Sequence, residues 1–225
     1  MKYISIDLET TGLDPENCQI LTIGAVIEDT NNIKPMEELP TFHAAILHRR
    51  IEGSPFAINM NKGIIESIVH YQTAEDDSEQ FDLERLTGMK FMNESDVAEE
   101  FYYWLAENDF IELNDPGSGG YVTRRNGKML PAITNKTRPI TISAAGKNFA
   151  TFDMKFLVRL PRWKQLVRIR QRVLDPSVLF TDWKNDDSLP GLSLCKERAG
   201  LDKVVTRDAV DDAKDVIELF RKSYI

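Results

Sequence analysis

The chain has 225 residues, 42% of them hydrophobic and 28% charged, with a net charge of −8. These are the values of an ordinary soluble globular protein, large enough to bury a full core without disulfide staples. No apolar run approaches the roughly 18 residues of a membrane span, and Met1 leads straight into an expected strand with no basic and apolar leader before it. Cys18 and Cys195 form neither a CxxC nor a zinc spacing, which fits a reducing, cytoplasmic setting. The expectation is one domain over residues 1–225.

In chain order, Tyr3 to Leu8 alternates and is rich in β-formers, which predicts a first strand. Gln19 to Ile27 predicts a second, after the turn signal Asp14-Pro15-Glu16-Asn17. Thr41 to Leu47 is a third strand. Gly63 to Val69 reads as a short helix, and the acidic stretch from Ala74 to Glu84 reads as a loop. Val97, Phe101, Trp104 and Leu105 fall at helical spacing within a helix over Ser95 to Glu107. Asn114 to Pro139, rich in Gly and Pro at its start, reads as a long loop or small hairpin inserted in the domain; it lacks the spacing of a phosphate-binding loop. Ile140 to Ala144 resumes as a strand. Helices follow over Thr151 to Leu160, Leu192 to Ala199 and Ala209 to Lys222. Strands first, then helix, strand and helices predict an α/β domain with a mixed sheet.

Charge is unevenly spread. Tyr121 to Arg172 holds 13 Lys and Arg and one acid, Asp153, whereas the rest of the chain holds 15 bases and 35 acids. A basic surface beside an acidic site is expected, with Arg124, Arg125 and Lys128 on a mobile loop of that surface.

The acids at the end of the first strand carry the chemistry. In a strand, residues i and i+2 share a face, so Asp7 and Glu9 project together while Leu8 turns into the core. Two adjacent carboxylates near a core repel one another, and a hard divalent cation removes that cost.

Asp7-Leu8-Glu9-Thr10-Thr11-Gly12-Leu13-Asp14-Pro15, followed by Gln19-Ile20-Leu21-Thr22-Ile23-Gly24-Ala25, closely resembles the first motif of the DnaQ-like DEDD 3′-to-5′ exonucleases. Asn148 to Asp153 resembles that superfamily's Asn-x-x-x-Phe-Asp signature, and Arg207 to Ala213 resembles its His-x-x-x-x-Asp motif except that Arg207 stands at the His position. The resemblance implies a ribonuclease H-like fold, a mixed β-sheet flanked by helices. It implies metal ligation by Asp7, Glu9, Asp153 and Asp212, with two Mg²⁺ or Mn²⁺ ions. It also implies that the Thr10-Thr11-Gly12 turn admits the terminal nucleotide and that Asn148 and Phe152 shape the way in for the strand end. Ala209 and Ala213 are the small residues that let the last helix approach the sheet. A compact stand-alone exonuclease of this kind suits a bacterium or a phage. The resemblance runs from Tyr3 to about Phe220 but is thin over Asn31 to Asn93 and Asn114 to Pro139.

The resemblance thus implies removal of nucleoside monophosphates from the 3′ end of single-stranded DNA or RNA. The superfamily's His accepts the proton of the attacking water. A guanidinium stays protonated near neutral pH and cannot, although its planar fork can bind a phosphate. Arg207 therefore predicts an impaired nuclease. Two alternatives stand beside it: a catalytically decayed nucleic-acid-binding module, and a proofreading or repair subunit that docks on a polymerase. Arg207 itself reads as a natural loss, an introduced change, or the mark of an enzyme that tolerates the loss. His43, His48 and His70 lie far from the third motif in sequence and are read as surface or packing residues.

Overall fold

The structure is a computed structural model that describes residues 1–110, 122–125, 127–202 and 206–225. Strand β1 (Lys2–Thr10) pairs antiparallel with β2 (Ile20–Asp29), and β2 pairs antiparallel with β3 (Thr41–Leu47). Two parallel additions complete a mixed sheet of order β4-β3-β2-β1-β8, with β4 at Lys90–Asn93 and β8 at Ala144–Ala145. β7 (Ile140–Ile142) leads into β8 and pairs parallel with β9 (Val167–Ile169), which lies outermost on that side. This is the α/β architecture that the sequence predicts.

Covering both faces explains why β2 is apolar along almost its whole length rather than alternating. On one face Ile4, Ile6, Leu8, Ile23 and Phe42 pack against Phe101 and Leu105 of α4 (Val97–Glu107) and against Trp163 of α6 (Trp163–Leu166). On the other, Tyr3 and Val26 meet Val210, Ala213, Val216 and Ile217 of α8 (Ala209–Arg221). Gly24 makes that contact possible: a Cβ there would lie 2.1 Å from the carbonyl carbon of Ala209 and 2.3 Å from the nitrogen of Val210.

Several elements differ from the sequence expectation. The acidic stretch read as a loop contains helix α3 (Asp77–Thr87). Asp76 caps it by accepting from the amides of Ser78 and Glu79, Gly88 ends it in the left-handed conformation, and Leu83 is its buried anchor. Its acids are a solvated face rather than a helix breaker. The short helix expected near residue 63 runs longer, as α2 (Lys62–Thr73), preceded by α1 (Pro55–Met60). The helix expected from Thr151 shrinks to α5 (Asp153–Leu157), with turns on either side. Of the expected insertion, residues 114–121 and 126 lie outside the described residues, and the others include an antiparallel hairpin of β5 (Val122–Arg125) and β6 (Lys128–Pro131). α7 (Leu192–Arg198) precedes α8 as expected. No helix among the described residues is long and apolar enough to cross a membrane.

Candidate active site

β1 ends beneath the start of α8, and this is where the predicted carboxylates meet. Asp7 and Glu9 sit on the α8 side of β1 because Leu8 between them belongs to the opposite core. Asp212 lies in the first turn of α8. One carboxylate oxygen from each of Asp7, Glu9 and Asp212 falls within 4.8 Å of the others. Asp153, the first residue of α5, stands beside them. β8 stops at Ala145, so the amide of Leu8 beyond it has no strand partner and donates to Asp153 Oδ1 at 3.1 Å. The close set therefore contains three of the four expected ligands, with the fourth hydrogen-bonded between two of them in sequence.

The energetics of the cluster are unfavourable as they stand. Glu9, Asp153 and Asp212 are 8%, 2% and 7% exposed. Burial and then the neighbouring Asp153, Asp212 and Glu9 charges raise the Asp7 carboxyl well above its ordinary value. Burial, with Asp212 next, pushes Glu9 up to about 7, opposed by Arg207 and by a hydrogen bond from Asn61. Burial raises Asp153 to about 7 against the help of its backbone hydrogen bonds. Asp212 is raised to about 6, again by burial first. Its Oδ1 is buried with no hydrogen-bond partner among the described residues. A buried oxygen acceptor without a donor, within a set of acidic oxygens alone, is the donor set that suits a hard divalent cation.

Arg207 precedes the helix, is exposed, and adopts a left-handed backbone at φ 61°. A non-glycine residue there costs on the order of 1–2 kcal/mol. Its positive charge lowers the proton affinity of both Glu9 and Asp212. Asp208 is the N-cap of α8, accepting from Val210 N at 2.9 Å and Asp211 N at 3.1 Å, so it is committed to the helix start.

The remaining predicted residues lie at the end of β1 and just before α5. Thr10 Oγ1 donates to Gly12 O at 2.8 Å, and Thr11 Oγ1 accepts from Gln19 N at 2.8 Å. Both hydroxyls therefore shape the turn. A Cβ at Gly12 would lie 2.6 Å from Cys18 Sγ, so that a side chain there would require Cys18 to shift. Asn148 is exposed, left-handed at φ 58°, and linked to Asp175 and Lys147. The Phe152 ring packs 5.2 Å from that of Phe156.

Sequence reasoning missed two residues. Asn61, between α1 and α2, is 3% exposed; it donates to Thr10 O at 3.0 Å and hydrogen-bonds Glu9. It lies in the segment where the resemblance is thin, and a lone Asn carries no motif. His43 comes near through register: Asp7, Gly24 and His43 are successive partners across β1, β2 and β3, and His43 Nε2 lies 3.8 Å from Asp208 Oδ2. It sits mostly buried behind the helix cap, its proton affinity lowered by burial against the opposing pull of Asp208.

The basic segment divides. Arg125 is paired with Glu100 and Glu107 of α4 and lies over the Tyr103 ring, and Lys128 donates to Glu107 O. These two residues are tied to α4 rather than carried on the mobile loop that the sequence suggests. The Arg124 side chain lies outside the described residues.

No protein-family model matches the sequence, and neither does any curated protein. Solved structures do. The chain is similar to the nuclease domain of 3′hExo, a DEDDh family member bound to rAMP, at 14% identity and a TM-score of 0.51, over 97% of this chain and 89% of that one. It is similar to S. pombe Pop2p in a form with Mg²⁺ and Mn²⁺ bound, at 11% identity and a TM-score of 0.51, over 97% and 81% of the two chains. The exonuclease I of Methylocaldum szegediense matches at 13% identity and a TM-score of 0.53, over 98% of this chain but 40% of its own. The chain thus spans about 40% of the length of the exonuclease I chain it matches. The chain shares the fold of these exonuclease structures, a mixed sheet flanked by helices of the ribonuclease H-like class.

Proposed function

We propose that the chain is a metal-dependent 3′-to-5′ exonuclease of single-stranded DNA or RNA that releases nucleoside monophosphates and is slowed by Arg207. The observation that carries this reading is the convergence of Asp7, Glu9 and Asp212 in buried, mutually repelling positions, with Asp153 beside them. The four carboxylates would hold Mg²⁺ or Mn²⁺, two ions in this reading. Bound there, such ions lower the pKa of water and stabilise a leaving oxygen.

The chain's own groups divide the rest of the work. The Thr10-Thr11-Gly12 turn, closed by its internal hydrogen bonds, would receive the terminal nucleotide, with Asn148 and Phe152 flanking the approach. Arg207 cannot take the proton of the attacking water, so no side chain at the third motif acts as general base. Its guanidinium can grip a phosphate oxygen through paired N–H donors. Two free cysteines, Cys18 half-buried and Cys195 buried, suit a reducing cytoplasm.

Arg207 favours a second reading, a binding module with a decayed site. The discriminating experiment is hydrolysis of 5′-labelled single-stranded DNA and RNA with Mg²⁺ or Mn²⁺, by this chain and by Arg207→His. Slow 3′ trimming that quickens in the His variant supports the nuclease. A His variant that binds metal and strand yet stays inert establishes the binding module. A polymerase-docking role would appear instead as trimming that requires the polymerase.

A further inference from the structure

The acid-free stretch 154–174 is densely basic, holding Lys155, Arg159, Arg162, Lys164, Arg168, Arg170 and Arg172. Arg159 and Arg162 are engaged, by Glu16 and Glu99. Arg168, Arg170 and Arg172 are exposed and have no carboxylate partner among the described residues. In a protein of net charge −8, three neighbouring arginines without a counter-ion are a concentrated exception.

Their placement is set by the outermost strand. Val167 packs into the larger core and Ile169 packs against it, so Arg168 and the following Arg170 turn to the opposite side. Ile4, Ile6 and Leu8 of β1 enter that same core, which leaves Asp7 and Glu9 on the opposite side too. The carboxylates, Arg168 and Arg170 therefore lie on the same side of the larger core. The direction is also shared. β9 runs parallel to β7, β7 leads into β8, and β8 runs parallel to β1. Beyond Arg172, Leu174 bridges Ala145 and Asp175 accepts from the amide of Asn148. The row of arginines thus climbs the sheet edge toward Asn148 and the end of β1 where the carboxylates lie. Arg168 and Arg170, two apart where β9 ends, are roughly 6.6 Å apart, a spacing comparable with that of successive phosphates on an extended single strand, and Arg172 follows in the bend before Leu174.

We infer that Arg168, Arg170 and Arg172 form a phosphate track that holds the single strand upstream of its 3′ end. The track rests on the nuclease reading for its direction, but its binding does not require hydrolysis. Arginine suits it because the guanidinium fork pairs with phosphate without reading the base. A strand long enough to leave the cleft gains contacts that a short one lacks.

The test is fluorescence anisotropy in EDTA, which blocks hydrolysis, using labelled oligothymidylates of about 4 and about 20 nucleotides, lengths chosen around a single-strand site size. The triple variant Arg168→Gln, Arg170→Gln, Arg172→Gln should bind the long strand at least tenfold more weakly. Its salt dependence should fall by about 2 in log–log slope, from about 0.7 per lost phosphate contact. Binding of the short strand should be unchanged. A control triple, Lys34→Gln, Arg85→Gln, Lys184→Gln, removes the same charge elsewhere and should leave both lengths unaltered. Unchanged long-strand binding in the first triple overturns the track. Equal losses for both lengths, or equal losses in the control triple, overturn it as well. Arginine-dependent binding of polyglutamate as tight as that of the oligonucleotide would assign the row to an acidic protein and reject it as a nucleic-acid track. Hydrolysis by Arg207→His is scored separately. An inert His variant with arginine-dependent long-strand binding sinks the nuclease and keeps the track, whereas brisk trimming with no arginine dependence sinks the track alone.

Discussion

Asp212 and Asp215 lie one turn apart on α8, and the Lys196 charge acts on both, but only Asp215 is hydrogen-bonded by it. Asp215 receives Lys196 of α7 at 2.5 Å, and both side chains are largely buried. Burial raises the Asp215 carboxyl, and Lys196 draws it back. Asp212 is as buried but faces Asp7 and Glu9, and its Oδ1 has no donor among the described residues. The first is a buried charge completed by the fold. The second is a buried charge that the fold leaves incomplete, and an incomplete acid among acids is what a bound cation completes. The difference marks Asp212, and not Asp215, as the candidate ligand without reference to any relative.

Substitutions should break this contrast in opposite ways. Asp7→Asn or Asp212→Asn should lower metal-dependent hydrolysis by roughly 10³-fold or more, while thermal melting in EDTA stays level or rises because a repelling charge is gone. Lys196→Met should do the reverse to the fold: it leaves Asp215 buried and unpaired, at a cost of about 3–5 kcal/mol, read as a lower Tm. Arg207→His should raise the hydrolysis rate by roughly 10²-fold or more, within the range of a positioned general base, and weaken strand binding slightly as the phosphate fork is lost.

The smallest effect is on pH dependence, and it follows from the sign of the shifts. Glu9 and Asp153 are raised to about 7 and Asp212 to about 6, above the ordinary carboxylate range of the unfolded chain. The folded protein therefore binds more protons than the unfolded one between about pH 4 and pH 7, and stability falls as pH rises through that window. In EDTA the Tm should be lower by several degrees at pH 8 than at pH 5, at roughly 2–4 °C per kcal/mol. Adding Mg²⁺ at pH 8 should recover most of the loss. A Tm that rises from pH 5 to pH 8 without metal would show that the cluster carries no unmet repulsion.

Much of this site is legible in the sequence because its parts are local. The i, i+2 spacing of Asp7 and Glu9 states that they share a strand face, and Leu8 states which face is core. Gly24 is visible as part of a motif, but its reason, the start of α8 lying where a Cβ would be, exists only in three dimensions. Asn61, His43 and Lys196 reach their places through long-range packing and register, which no spacing encodes. The acidic composition of α3 masked a helix whose caps, Asp76 and Gly88, were present in the sequence. The basic segment was legible as charge and not as arrangement. Composition counts Arg125 and Arg168 alike, whereas packing neutralises the first against α4 and leaves the second exposed on the edge strand.

Asp7, Glu9 and Asp212, with Asp153, are proposed to form a cation site, and calorimetric titration of the metal-free protein with Mn²⁺ at pH 7.5–8 (about one unit above the raised carboxyls) tests this most directly. Saturable binding that releases protons, that is lost in Asp212→Asn and that is retained in Asp211→Asn on the exposed side of the same helix is the predicted result. An absence of saturable binding, or binding indifferent to Asp212, would contradict it.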